Sequence, residues 1–339
     1  MMKILVTGGA GFIGSNLCQG LIDHGYDIVA LDNLNDYYDI ELKYSRLALL
    51  GIEKEEIADG VIVQSHRYDR LRFVKIDLAD REALQSLFRE EKFDKVCSLA
   101  AQAGVRYSID NPYAYVESNL VGFVNLLECV RHYPVSHFVF ASSSSVYGMD
   151  THVPFSEEDK TDKPVSLYAA TKKADELMAH VYAHLYGIPT TGLRYFTVYG
   201  PWGRPDMAPS LFVKAIDEGR PIKVFNQGNL SRDFTYIDDI VEATIRAIDY
   251  TRDKDHVFDI YNVGCGHPVP LMDFIHIIEE NMGKKAQLEM YPMQAGDVYQ
   301  TYADSSKFEQ TFGFRPSVTL SEGIAHFVDW YKTYNCREE

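Results

Sequence analysis

Tyr168 and Lys172 stand four residues apart in Tyr168-Ala169-Ala170-Thr171-Lys172, inside a helix-like stretch that runs to Tyr186. That spacing brings both side chains to one helix face. A free phenol titrates near about 10 and is a poor base at neutral pH, but an adjacent ammonium favours the phenolate. The pair therefore predicts proton abstraction from an alcohol, with Tyr168 as the base. A Tyr-x-x-x-Lys alone also occurs on solvated helix faces, so the reading leans on its neighbours. Phe140-Ala141-Ser142-Ser143-Ser144-Ser145-Val146-Tyr147-Gly148 supplies hydroxyls at the end of the fifth expected strand. α/β proteins gather ligands beyond the carboxyl ends of their strands. Ser143 is the expected partner of the reacting alcohol, flanked by Ser142 and Ser144; the alternative is a serine-rich polar turn.

The second motif is Gly8-Gly9-Ala10-Gly11-Phe12-Ile13-Gly14, which follows an apolar strand and opens a helix. Gly8 makes the tight turn, Gly11 lets backbone approach a pyrophosphate, and Gly14 lets helix and strand pack closely. The pyrophosphate then rests on the helix N-terminus. Asp32 ends the second strand in Ala30-Leu31-Asp32-Asn33, where a carboxylate accepts ribose hydroxyls and repels a 2′-phosphate, so the cofactor is expected to be NAD. An oxidised nicotinamide would further favour the Tyr168 phenolate.

These side chains need strands and helices in alternation to hold them. Short β-branched runs at Lys3 to Val6, Asp27 to Leu31, Arg72 to Ile76, Lys95 to Leu99 and His137 to Ala141 alternate with helical stretches such as Gly14 to His24 and Pro112 to His132. That pattern predicts βαβ units, right-handed crossovers and an α/β fold of the Rossmann type, a doubly wound parallel sheet. Gly51 to Tyr68 is polar and poorly periodic and reads as an excursion between the second and third strands. Beyond about Gly200, where Pro201, Gly203, Pro205 and Pro209 crowd a loop, the alternation loosens. Residues 1–200 are expected to form the dinucleotide-binding domain. Residues 201–339 are expected to form mainly a smaller C-terminal α/β lobe for substrate, with segments returning to the first domain.

The balance of the chain narrows its partners. A net charge of −16 over 339 residues disfavours nucleic acid and anionic membranes, which are held by clustered Lys and Arg. Cys18, Cys97, Cys129, Cys265 and Cys336 are scattered, odd in number and without CxxC spacing, against a disulfide framework or a zinc site. No apolar run reaches membrane-spanning length and the start lacks a signal-like core, so a cytoplasmic location and no metal are expected. His180 and His184 share a helix face, but without the glutamate and third ligand of a zinc site they read as solvated. Tyr37, Tyr38, Tyr331 and Tyr334 read as edge packing, and Cys97 as inert core.

Together the glycine motif, Asp32, the serine cluster and Tyr168 to Lys172 resemble the extended short-chain dehydrogenases that epimerise nucleotide sugars. Ala101-Gln102-Ala103-Gly104-Val105-Arg106-Tyr107-Ser108, the run from Arg194-Tyr195-Phe196-Thr197 to Arg204-Pro205-Asp206-Met207, and Arg232-Asp233-Phe234-Thr235-Tyr236-Ile237-Asp238-Asp239 are similar to the UDP-glucuronate 4-epimerases. The resemblance covers nearly the whole chain. It implies that Asp77 and Leu78 flank the adenine, that Phe12, Ile13, Asn33, Ala100, Ala101 and Asn119 line the cofactor, and that Tyr195 and Val198 lie near the nicotinamide. It implies Arg232 as diphosphate ligand, with Gln294 and Asp297 toward the uridine end. It also implies a homodimer through the helices Pro112 to His132 and Leu167 to Tyr186.

Two positions bear on the choice of reaction, and a third on the uridine end of the substrate. Ser145 stands where related dehydratases and decarboxylases carry Glu, and Thr197 where galactose epimerases carry Asn; Gln294 stands where those enzymes usually carry Arg. Oxidising C4 of a uronic acid makes a β-keto acid, which loses carbon dioxide if its carboxylate bond turns perpendicular to the ketone plane. Thr197 and Arg204, with Arg106 as a second candidate, are expected to hold that carboxylate out of alignment. The expected reaction is C4 epimerisation of UDP-glucuronate to UDP-galacturonate through a 4-keto sugar. Two alternatives stay open: an epimerase or decarboxylase of another nucleotide sugar, and a non-catalytic NAD-binding redox sensor.

Overall fold

A computed structural model describes residues 2–149, 152–253, 255–293 and 298–335. In chain order come β1 (Lys3–Thr7), α1 (Phe12–Asp23), β2 (Asp27–Asp32), α2 (Glu41–Leu49), β3 (Ile62–Gln64), β4 (Leu71–Lys75), α3 (Arg81–Glu91) and β5 (Lys95–Ser98). Next are α4 (Tyr107–Asp110), α5 (Pro112–Tyr115), a π turn (Val116–Val121), α6 (Gly122–His132), β6 (His137–Ser143), a 3-10 turn (Ser144–Tyr147), α7 (Leu167–Tyr186) and β7 (Thr190–Tyr195). The remainder runs β8 (Thr197–Tyr199), α8 (Ala208–Asp217), β9 (Ile222–Val224), β10 (Ser231–Tyr236), α9 (Ile237–Asp249), β11 (Phe258–Val263), β12 (Pro268–Pro270), α10 (Leu271–Met282), β13 (Leu288–Met290), α11 (Ser306–Phe312) and α12 (Leu320–Asn335). The described residues fall into two compact units, the first within 1–150, 160–194 and 241–261, the second within 151–159, 195–240 and 262–339.

In the first unit the buried, β-branched strands join an eight-stranded sheet of order β11-β7-β6-β5-β1-β2-β4-β3. The pairs β4 with β2, β2 with β1, β1 with β5 and β5 with β6 are parallel. The order reverses about β1, which is the doubly wound arrangement with its ligand crevice at that reversal. The five predicted strands all form, within a residue or two of their expected ends. The segment after Gly51 is more than a loop: Ile62–Gln64 adds antiparallel to β4 and closes the sheet edge. The expected helix Pro112 to His132 forms over that range with a π turn at Val116–Val121 set within it, which carries Asn119 inward, buried at 2% exposure. Such bulges recur where a helix must re-aim a side chain.

The first unit's core gathers Leu84, Leu87 and Phe88 of α3 with Phe123, Leu126 and Leu127 of α6 and Phe138 and Phe140 of β6. Phe138 and Phe140 stack at 6.0 Å between centroids. Truncating either to Ala would cost about 3–5 kcal/mol, because the cavity cannot close. This core makes β6 rigid, and β6 carries the serine cluster. In the second unit β10 lies between β8, in parallel, and β12, antiparallel, with Phe234↔Thr197 in register. Phe274 of α10 stacks on Phe234 at 4.3 Å. Among the described residues no helix is long and apolar enough to cross a membrane.

Candidate active site

The turn after β1 is built for a close approach. Gly8 adopts φ +74°, a conformation that favours glycine, and a Cβ there would meet the backbone nitrogen of Ala100 at 2.9 Å. A Cβ on Gly14 would come within 2.0 Å of the Gly8 carbonyl oxygen, so α1 packs on the turn only because residue 14 has no side chain. Helix α1 has Gly11 as N-cap, with no side chain capping it. Its first-turn N–H groups, from Phe12 and Ile13, thus lack intrahelical acceptors and suit an anion.

Asp32, buried at the end of β2, accepts from the Ala10 N–H at 3.2 Å and the Leu34 N–H at 2.8 Å. Lys43 of α2 pairs with it at 3.4 Å, an ion pair that sequence reading missed. Asn33 donates to Asp77 at 2.8 Å, joining the ends of β2 and β4. Leu78 is buried beside Gly122, and the Ala100 N–H donates to the Thr7 hydroxyl at 3.1 Å. Ala101 follows Ala100 in the same loop. Asn119 is fully engaged: it accepts from the Gln102 N–H at 2.8 Å and donates to the Gln102 carbonyl and to Thr171. It ties the loop after β5 to α7. A glycine cradle, open helix N–H groups and a strand-end carboxylate form a donor and acceptor set that fits a dinucleotide's pyrophosphate and ribose.

Tyr168 is the second residue of α7, whose N-cap Ser166 accepts from the Ala169 N–H at 3.1 Å. Its ring meets Tyr115 edge-on at 6.1 Å. Lys172 is buried and donates to the Ala141 carbonyl at 2.9 Å and to Asp175 at 3.0 Å. Ser143 caps the 3-10 turn, its hydroxyl accepting from the Ser145 N–H at 3.2 Å. Ser143 and Ser144 are half-buried. Ser142, by contrast, is buried and donates to Glu176 at 2.7 Å.

Glu176 belongs to a buried network. Arg194 of β7 grips it with two bonds of 2.7 and 2.9 Å and also donates to the Tyr147 hydroxyl at 2.9 Å. Burial raises the Glu176 carboxyl, but Arg194 and Lys173 outweigh it and hold the group below the ordinary carboxylate range. The network locks α7, the end of β6 and β7 together, and no local spacing announced it: residues 176 and 194 lie in different elements.

Arg106 is exposed just before α4. In the second unit Thr197 and Val198 of β8 are half-buried and Tyr195 is buried. Arg204 makes a two-point pair with Asp206, its Nε donating at 3.0 Å. Arg232 of β10 donates to the Ser231 carbonyl at 2.8 Å. Beside it Asp233, wholly buried, accepts from the N–H groups of Cys265, Gly266 and Ala303 and pins those loops. Gln294 and Asp297 lie outside the described residues. No group of three or more His, Cys, Asp or Glu able to hold a metal occurs among the described residues. His180 and His184 are exposed, and Cys97 is core, as read from the sequence.

Residues 4–264 match the model of the NAD dependent epimerase/dehydratase family. The chain belongs to that family. It is 45% identical to a probable UDP-glucuronate 4-epimerase of Rhizobium meliloti over 97% of each chain. It is 46% identical to UDP-glucuronate 4-epimerase 4 of Arabidopsis thaliana over 98% of this chain and 76% of that one. A Bacillus cereus UDP-glucuronic acid 4-epimerase, solved with UDP-glucuronic acid and NAD, superposes with a TM-score of 0.88 at 34% identity, covering 98% of this chain and 100% of that one.

Proposed function

We propose that this protein epimerises UDP-glucuronate at C4 to UDP-galacturonate. The observation that carries the reading is Lys172, buried and fixed on the Ala141 carbonyl beside the serine turn, one helical turn from Tyr168. Full-length likeness to proteins bearing the name UDP-glucuronate 4-epimerase supports the choice of sugar. Gly11, Phe12 and Ile13 would hold the NAD pyrophosphate, and Asp32 the adenosine ribose. Bound NAD would supply reversible hydride acceptance at C4, so that the cycle has no net redox.

The chain's own groups handle protons and geometry. Tyr168, as phenolate, takes the proton of the 4-hydroxyl, and Ser143 hydrogen-bonds the same oxygen. Lys172 keeps the phenolate accessible by its charge. Tyr168 then returns the proton to the new 4-hydroxyl after the keto sugar has turned about its diphosphate. Arg232 anchors the diphosphate during that turn, its planar fork suited to phosphate oxygens. Gln294 and Asp297 serve the uridine end, and Tyr195 and Val198 the nicotinamide. Thr197 and Arg204 hold the sugar carboxylate in the ketone plane and prevent its loss, with Asp206 as the rival carboxylate that Arg204 must share. Ser142 and Asn119, beside substrate and cofactor, are held in place by Glu176 and by the loop after β5 respectively. The enzyme works as a homodimer in a reducing cytoplasm. Leu177, Val181 and Leu185 of α7 are 57%, 48% and 61% exposed in one apolar row, and the described cysteines are unpaired.

Incubation with NAD and UDP-glucuronate, followed by NMR, tests this. UDP-galacturonate is the expected product. A UDP-pentose with carbon dioxide would make the protein a decarboxylase, and no turnover of any UDP-sugar would leave an NAD-binding sensor.

A further inference from the structure

Lys172 has a second anion-side partner that the reaction scheme leaves without a task. Its ammonium carries three N–H donors; one goes to the Ala141 carbonyl at 2.9 Å and one to Asp175 at 3.0 Å. That leaves one for the side of Tyr168 and the ligands. Asp175 lies three residues further along α7, with its side chain 1% exposed. Its Oδ1 is buried without a hydrogen-bond partner. A carboxylate oxygen buried without a partner destabilises the fold, and packing alone gives no reason to retain it.

The surroundings make Lys172 the cation that answers it. Glu176, next along α7, is already neutralised by Arg194 of β7 and by Lys173 at 3.0 Å. From β6 comes the neutral Ala141 carbonyl, and from the π turn the Asn119 amide, which donates to Thr171. Tyr147, after β6, is held by Arg194. Burial pushes the Asp175 carboxyl up to about 6 against the pull of Lys172, with Glu176 adding to the rise.

We propose that Asp175 is a positioning residue for proton transfer: it clamps the Lys172 ammonium on the Ala141 carbonyl and offsets part of the positive field that Lys172 exerts on Tyr168. The proposal rests on reading Tyr168 and Lys172 as the base pair. Asp175→Asn keeps the shape and an acceptor oxygen but removes the charge. Without that charge both the Tyr168 phenol and the Lys172 ammonium lose protons more readily, so both limbs of a bell-shaped kcat/KM profile move to lower pH.

The test measures kcat/KM against pH for UDP-glucuronate with the NAD-loaded wild type, Asp175→Asn and Asp175→Glu, with the affinity for NAD as a check of folding. The expected result is a shift of both limbs by about 1 unit in Asp175→Asn and wild-type limbs in Asp175→Glu, which keeps the charge. Unshifted limbs in Asp175→Asn, or an equal shift in Asp175→Glu, would overturn the proposal. Asp175→Ser replaces the amide variant if that one does not fold. Lys172→Met separates the two readings: if it turns over like wild type, the base pair itself is wrong, whereas an inactive Lys172→Met with an unshifted Asp175→Asn refutes Asp175 alone.

Discussion

Arg204 and Arg194 show two different uses of a guanidinium. Arg204 is paired with Asp206 two residues away, in a segment with solvent access, so its partner can be exchanged for a substrate carboxylate at little cost. Thr197→Ala and Arg204→Ala are therefore expected to release a UDP-pentose or to accumulate NADH during turnover, read by NMR and by absorbance. If both variants only raise KM, the carboxylate role is wrong. Arg194 is 3% exposed and grips Glu176, itself 1% exposed in its side chain. Arg194→Met leaves a buried carboxylate unanswered and should cost about 3–5 kcal/mol. Urea denaturation with NAD absent would measure it, and a loss below 1 kcal/mol would mean that the network is dispensable.

At the scale of elements, β6 joins the core to the serine turn, and its first residue is a titratable one. His137 is buried, with Nε2 2.9 Å from the Thr191 hydroxyl. Burial first, and the Arg252 charge second, push its imidazole down to about 4 from 6.5. The unfolded chain thus takes up the proton at higher pH than the folded one. Stability from this group is full above about 6.5 and is lost as pH falls toward 4, by up to about 3 kcal/mol. His137→Gln should flatten the fall in unfolding free energy between pH 6.5 and pH 4.5, whatever it costs at neutral pH. An unchanged slope would assign the acid sensitivity elsewhere.

At the scale of the molecule, a surface row of Leu177, Val181 and Leu185 recurs every four residues and so lies along one face of α7. Tyr113, Val116 and Val121, 82%, 40% and 47% exposed, add apolar surface on the preceding helical segments. Light scattering should show the wild type as a dimer and Val181→Glu as a monomer; a monomeric wild type would remove the dimer from the proposed function.

The parts of this protein written locally were legible in its sequence. Gly8, Gly11 and Gly14 bracket one turn, Asp32 closes one strand, and Tyr168 and Lys172 share one helical face, because each depends on backbone conformation or on periodicity over a few residues. The alternation of strands and helices carried the doubly wound sheet in the same way. Contacts between distant elements left no such trace. That Ser142 turns inward to Glu176, that Lys43 answers Asp32, and that Lys172 reaches the Ala141 carbonyl all depend on how helices are laid on the sheet. The pairing of β3 on the sheet edge and the place of β11 beside β7 are likewise decisions of the tertiary fold. Strand partners are chosen by which apolar faces can be buried together, and spacing along the chain does not encode that choice.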